Sequence, residues 1–307
     1  MRFRFYFLFI FFTVLFLFYP GDSLYYHTFA YNRHLFNQKE KRLSFKINQI
    51  PYVKTADEPQ VSAEAVYIVD LNSFTPVYKK NSQTQFLPAS TVKIITALVA
   101  YDVYDLDRVI TVKNVVSEGQ LMGLAEGEKI TVENLLYGML VHSGNDAAFA
   151  LADNYGRDKF VDIMNKKAQK LGMEKSNFTN PAGFDDFSQL TTGYDLTLAA
   201  RELLKNKLLK KIVSTKEITV SDSEYKNFHK LSNVNKLLGE IQGVGGLKTG
   251  FTENAGENLI SFYKHNGHDL VLTILKSQDR FADTRELINW IDNNIGYTQV
   301  DGLSLIN

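Results

Sequence analysis

The sequence predicts an α+β fold: one antiparallel sheet built from the two ends of the chain, packed by helices, with a mostly helical insert between its halves. Three observations predict it. Strand-like runs rich in Val, Ile and Tyr, Ala65–Asp70 and Val77-Tyr78, come before residue 80. Comparable runs, Asn258–Lys264 and Leu270–Leu275, return after residue 250. Between them, apolar residues recur at helical spacing, with cap and turn residues at the joins.

In chain order, Arg2 and Arg4 precede an apolar run from Phe5 to Tyr19, then Pro20-Gly21-Asp22-Ser23. A positive start, an apolar middle and small residues at the end read as an export signal over 1–23, cleaved after Ser23 or kept as an N-terminal anchor. The run is short of the ~20 residues that span a bilayer. Residues 24–60 are polar and aromatic with mixed charge and read as a stalk or linker. The folded domain is expected over 61–296, with 297–307 as a tail.

Leu71–Pro76 reads as a turn between the first two strands. A helix begins inside Leu87–Leu98 and runs to about Tyr104. Arg108–Lys113 is strand-like. Thr131 is placed to cap a helix over 131–140, and Asn145 or Asp146 to cap the next, Ala147–Asn154. Further helices fit Lys159–Leu171, Tyr194–Leu209 and Arg280–Asn294. Glu217–Val220 reads as a strand, and Asn266-Gly267 as the turn of a hairpin.

Lys plus Arg is 34 and Asp plus Glu is 34, so the formal charge is zero. No positive surplus exists for a phosphate backbone, and no nucleic-acid partner is expected. The chain has no Cys. That excludes disulfides, thiolate metal sites and a cysteine nucleophile. Of six His, the closest pair is His265 and His268, which flank the hairpin turn without a third ligand. No metal and no cofactor are expected. His142, beside Ser143, is read as a loop histidine, because no G-x-S-x-G elbow accompanies it.

The chemistry starts at Pro88-Ala89-Ser90-Thr91-Val92-Lys93. Residues at i and i+3 share a helix face, so Ser90 and Lys93 can meet. Val92, Ile94, Ile95, Leu98 and Val99 would bury that helix. A buried lysine loses solvation and favours its neutral form, so Ser90 is a candidate nucleophile and Lys93 its base. Two other S-x-x-K matches are set aside. Ser223–Lys226 lies in a polar stretch, and Ser261–Lys264 lies on a strand, where i and i+3 face opposite sides.

Two further motifs follow in order, Ser143-Gly144-Asn145 and Lys248-Thr249-Gly250. Ser143 can pass a proton to a leaving amine, and Asn145 can both donate to and accept from a substrate amide. Lys248, Thr249 and Thr252 can bind a carboxylate. Lys248 would also discourage protonation of Lys93. Gly250, without a side chain, lets an extended substrate lie along the strand edge. Backbone N–H groups of Ser90 and Phe251 are candidates for an oxyanion hole.

S-x-x-K, S-x-N and K-T-G in this order resemble the signature of the serine D-alanyl-D-alanine carboxypeptidases, the low-molecular-weight penicillin-binding proteins. Asn180-Pro181-Ala182-Gly183, Thr192–Leu196 and Gly246–Gly256 are similar to that family too. The resemblance covers about 61–296. It implies a β-lactamase/transpeptidase-like fold, with catalytic Ser90, Lys93 and Ser143 and substrate-binding Asn145, Lys248, Thr249, Gly250, Phe251 and Thr252. It implies removal of the terminal D-alanine from peptidoglycan stem peptides through an acyl-enzyme and inhibition by β-lactams; the N-terminal segment, cleaved or kept, puts the body outside the cytoplasmic membrane. A D,D-endopeptidase is the alternative, ahead of a β-lactamase or a non-catalytic wall-binding module. Many relatives continue into a further β domain and a membrane helix. Here the residues end at Asn307, so any membrane attachment is expected through the N-terminal segment. Gly144 stands where class A β-lactamases have Asp. Their E-x-x-L-N motif is matched only imperfectly, by Glu202–Asn206.

Overall fold

A computed structural model describes residues 2–18 and 49–298. Two compact units divide at residue 47. The first holds α1 (Arg2–Leu17), which beyond Arg4 is apolar on every side except for Thr13. At ~1.5 Å per residue it reaches ~24 Å, short of a ~30 Å hydrocarbon core. No helix among the described residues is long and apolar enough to cross a membrane. The expected cleavage point at Ser23 and most of the stalk and tail lie outside the described residues.

The second unit runs β1 (Pro51–Val53), β2 (Ala65–Asp70), β3 (Pro76–Lys80), a 3-10 turn (Ala89–Val92), α2 (Lys93–Val103), β4 (Val109–Thr111), β5 (Lys129–Thr131), α3 (Val132–Leu140), α4 (Asn145–Tyr155) and α5 (Arg157–Lys170). It continues α6 (Gly193–Lys205), α7 (Lys207–Val213), β6 (Glu217–Ser221), β7 (Phe228–Ser232), β8 (Val244–Thr252), β9 (Gly256–His265), β10 (His268–Ser277), α8 (Arg280–Asn294) and β11 (Ile295–Tyr297).

The main sheet has the order β3-β2-β10-β9-β8 and is antiparallel throughout. Strands from both chain ends meet where β2 pairs with β10. Side chains alternate across a strand, and both faces of this sheet are covered. Ala65, Tyr67 and Val69 of β2 join the helical core with Val92, Ile95 and Leu135. Val66 and Ile68 pack with Leu287, Trp290 and Ile291 of α8. The β9–β10 hairpin turns at Asn266 and Gly267, both at positive φ, as the Asn-Gly pair anticipates. β8 is left as an edge strand beside the 3-10 turn.

Four readings are corrected. The helix expected over Tyr194–Leu209 is two helices, because Asn206 leaves the helical region and its side chain accepts from the Leu208 and Leu209 N–H groups. Thr131 caps α3 as expected, but α4 starts from Gly144 with no side-chain cap. Asn145 and Asp146 have their side chains engaged elsewhere. The folded body also starts before residue 61, because Pro51–Val53 pairs with Ile295–Tyr297. The same pairing carries the body past 296, into the expected tail.

Candidate active site

The cleft between β8 and the helical part has a volume of about 370 Å³. Ser90, Ser143, Asn145, Thr249, Gly250, Phe251 and Thr252 all line it. Lys93 and Lys248 lie beneath, both buried. Three stretches distant in sequence therefore converge on one cavity.

Ser90 sits in the 3-10 turn, and Lys93 begins α2 directly after it. Successive 3-10 turns eclipse i and i+3, which brings the pair together. Lys93 Nζ is 2.6 Å from Ser90 Oγ, 2.6 Å from Asn145 Oδ1 and 2.8 Å from the Ala182 carbonyl oxygen. The last two are acceptors only. A neutral amine has two N–H groups and one lone pair. Asn145 and Ala182 take the two N–H groups, so the lone pair is left for the Ser90 hydroxyl proton. Burial pushes the Lys93 amine well below its ordinary range, and the charge of Lys248 adds to the effect, against Asp146.

The Ala182 carbonyl is a partner that reading by local motif missed. Asn180 Oδ1 holds its turn by accepting from the N–H groups of Ala182, Gly183 and Phe184. Gly183 has φ +92, and a Cβ there would lie 2.0 Å from the Ala89 oxygen. No side chain fits between this turn and the backbone at Ala89.

Ser143 precedes α4 with φ +62, and Ala89 precedes Ser90 with φ +46. Each such conformation costs about 1–3 kcal/mol in a non-glycine residue and needs support from its surroundings. Around Ser143 that support is Asp146. Its carboxylate accepts from the N–H groups of Met122, Gly123, Leu124 and Ala147. The neighbouring loop in turn holds Asn145, whose N–H donates to the Gln120 oxygen and whose side-chain amide donates to the Glu118 oxygen. A side chain at Gly144 would meet Asp146 Oδ1 at 2.8 Å and Met122 N at 3.2 Å. A side chain at Gly144 is therefore crowded in this loop.

Lys248 Nζ donates to Ser143 Oγ at 2.8 Å and to the Thr249 oxygen at 2.9 Å. Burial, then the charge of Arg280, lowers its pKa to about 7. Arg280 itself was missed. Its guanidinium lines the cleft and donates to the Gly250 oxygen at 2.8 Å. No local spacing signals it, because packing of α8 against β9 and β10 brings it there.

Thr252 differs from the simple carboxylate donor anticipated. Its hydroxyl donates to Asp185 Oδ1 at 2.7 Å, and Asn254 donates to Asp185 Oδ2 at 2.9 Å. His142 lies within reach of Gln120 and the Ser232 oxygen, consistent with a loop histidine. Glu202 pairs with Lys205 on α6 and is absent from the cleft lining. Ser261 is buried while Lys264 is exposed, on opposite faces of β9.

A family model described as D-alanyl-D-alanine carboxypeptidase matches residues 52–279. The chain is 34% identical over 211 residues to D-alanyl-D-alanine carboxypeptidase DacF of Bacillus subtilis, covering 66% of this chain and 54% of that protein. It is 29% identical over 256 residues to the D-alanyl-D-alanine carboxypeptidase of Streptomyces sp. K15, covering 76% and 88%. Among solved structures, the Streptomyces K15 DD-transpeptidase superposes with a TM-score of 0.72 at 29% identity, over 76% of this chain and 98% of that one. A penicillin-binding protein homolog from Mycobacterium tuberculosis gives 0.73 at 28% identity, over 77% and 93%. The fold is β-lactamase/transpeptidase-like, and the chain belongs to the D-alanyl-D-alanine carboxypeptidase family.

Proposed function

We propose that this chain is a serine D,D-carboxypeptidase that removes the terminal D-alanine from peptidoglycan stem peptides. The observation that carries the reading is the 2.6 Å approach of Lys93 Nζ to Ser90 Oγ, with carbonyl acceptors on the two N–H groups of the neutral amine. The stem peptide lies extended along the β8 edge, and its carboxylate meets Lys248, Thr249 and Arg280. Ser90 Oγ attacks the penultimate carbonyl carbon as its proton passes to Lys93. The N–H groups of Ser90 and Phe251 receive the oxyanion. Ser143 relays the proton to the leaving amine: it gives up its hydroxyl proton, its oxygen accepting from Lys248, and takes in exchange the proton that Lys93 received from Ser90, which leaves Lys93 neutral again. D-Alanine leaves, and water hydrolyses the ester on Ser90. β-Lactams acylate the same oxygen. The apolar N-terminal run directs the body outside the cytoplasmic membrane, where the wall lies.

The test is D-alanine release from a stem pentapeptide by the full chain. Ser90→Ala should abolish it, and Lys93→Ala should slow acylation by about 10²–10⁴, the range of a general base. Release that survives Ser90→Ala rejects the serine mechanism. Dimeric muropeptides as a second substrate separate a carboxypeptidase from an endopeptidase.

A further inference from the structure

We infer that Asn258 is a positioning residue for acylation: its side-chain amide fixes the Leu87–Ser90 turn so that the Ser90 N–H and hydroxyl face the β8 edge. The inference rests on the reading of Ser90 as nucleophile. Asn258 lies on β9, opposite Gly250 in the β8–β9 register. It is fully buried. Its Nδ2 donates to two successive carbonyls of the turn, Leu87 at 3.0 Å and Pro88 at 3.1 Å. Its Oδ1 accepts from the Lys276 N–H at 2.8 Å, at the irregularity in the β9–β10 pairing.

Each of these links has a physical role. The irregularity in β10 takes Lys276 N–H out of the ladder, and Asn258 satisfies it. That contact fixes which end of the amide points at the turn. Two carbonyls directed at one NH2 group then set the two peptide planes that precede Ala89. Thr91 adds its N–H and hydroxyl to the Pro88 oxygen, at 3.2 Å and 2.6 Å. Ala89 follows with φ +46, a conformation its side chain disfavours. Two glycines from elsewhere in the fold, Gly250 and Gly183, approach it closely. A Cβ on Gly250 would lie 3.1 Å from Ser90 N, and one on Gly183 would lie 2.0 Å from the Ala89 oxygen. Neither glycine has a side chain to orient the turn. Asn258 reaches it from the next strand, beneath Gly250.

The test measures β-lactam acylation of the full chain, resolving the non-covalent dissociation constant from the acylation rate constant. Asn258→Asp keeps the shape but presents a carboxylate to two carbonyls. Its acylation rate constant should fall about 10²-fold, the scale of one misplaced oxyanion donor. The dissociation constant should change by less than about threefold. The ratio of variant to wild-type rate should rise as pH falls, because a neutral carboxyl regains an O–H donor. If Asn258→Asp does not fold, Asn258→Ser removes the amide without adding charge and should show the same selective loss. An unchanged rate constant, a loss confined to binding, or a ratio flat with pH would overturn the inference. Failure of β-lactam to label Ser90 in the wild-type chain would instead reject the nucleophile reading.

Discussion

Lys248 Nζ donates to Ser143 Oγ across 2.8 Å, linking the edge strand to the loop before α4. The amine sits at about 7 through burial and the nearby Arg280 charge. In the proposed mechanism carboxylate binding uses its protonated form, whereas acylation uses neutral Lys93. Protonation of Lys93 on the acid side and deprotonation of Lys248 on the alkaline side both lower kcat/KM. The alkaline limb should therefore lie near 7 in the free enzyme. Arg280→Gln removes a positive neighbour, which raises the Lys248 pKa. The alkaline limb should move up, while kcat/KM at pH 6 falls with the lost guanidinium. A pH profile of both proteins checks this, and a limb that stays in place rejects the coupling.

Asp146 bears on stability and on the site together. Asp146→Ala would strip the carboxylate from four backbone N–H groups, at a residue only 2% exposed. Each buried N–H left unpaired costs about 1–3 kcal/mol, so a loss of roughly 3 kcal/mol or more is expected. Urea denaturation measures it. Activity should fall further than the folded fraction does, because the same loop supplies the Glu118 and Gln120 oxygens that hold Asn145.

Asp185 holds the Thr252 hydroxyl at the mouth of the cleft. A substrate carboxylate must compete with it for that donor and also meets its negative charge. Asp185→Ala should lower KM for a stem peptide by about two- to tenfold, more at low salt, where exposed charges are less screened. Amidating the peptide's terminal carboxylate should remove the difference. Equal KM values for the two proteins at low salt would exclude this competition.

Most of the fold was legible because its signals are local. β2 and the β9–β10 hairpin are marked by β-branched runs and an Asn-Gly turn, and α8 keeps the bounds expected for it, Arg280–Asn294. Asn206 broke a helix that apolar period alone would continue, since capping opposes periodicity at that position. The pairing of β1 with β11 was hidden because short strands carry little pattern of their own.

The sequence by itself determined the candidate chemistry. Ser90, Lys93, Ser143, Asn145 and the Lys248–Gly250 strand are the candidate groups, and spacing along a helical turn is enough to pair the first two. Tertiary structure decided their state. Burial lowers both lysines, Ala182 and Asn145 orient the Lys93 lone pair, Asp185 occupies Thr252, and Arg280 reaches the cleft from the last helix. The reason is range. A motif records which groups neighbour one another along the chain, whereas desolvation, charge and hydrogen-bond direction depend on residues that folding brings in from elsewhere.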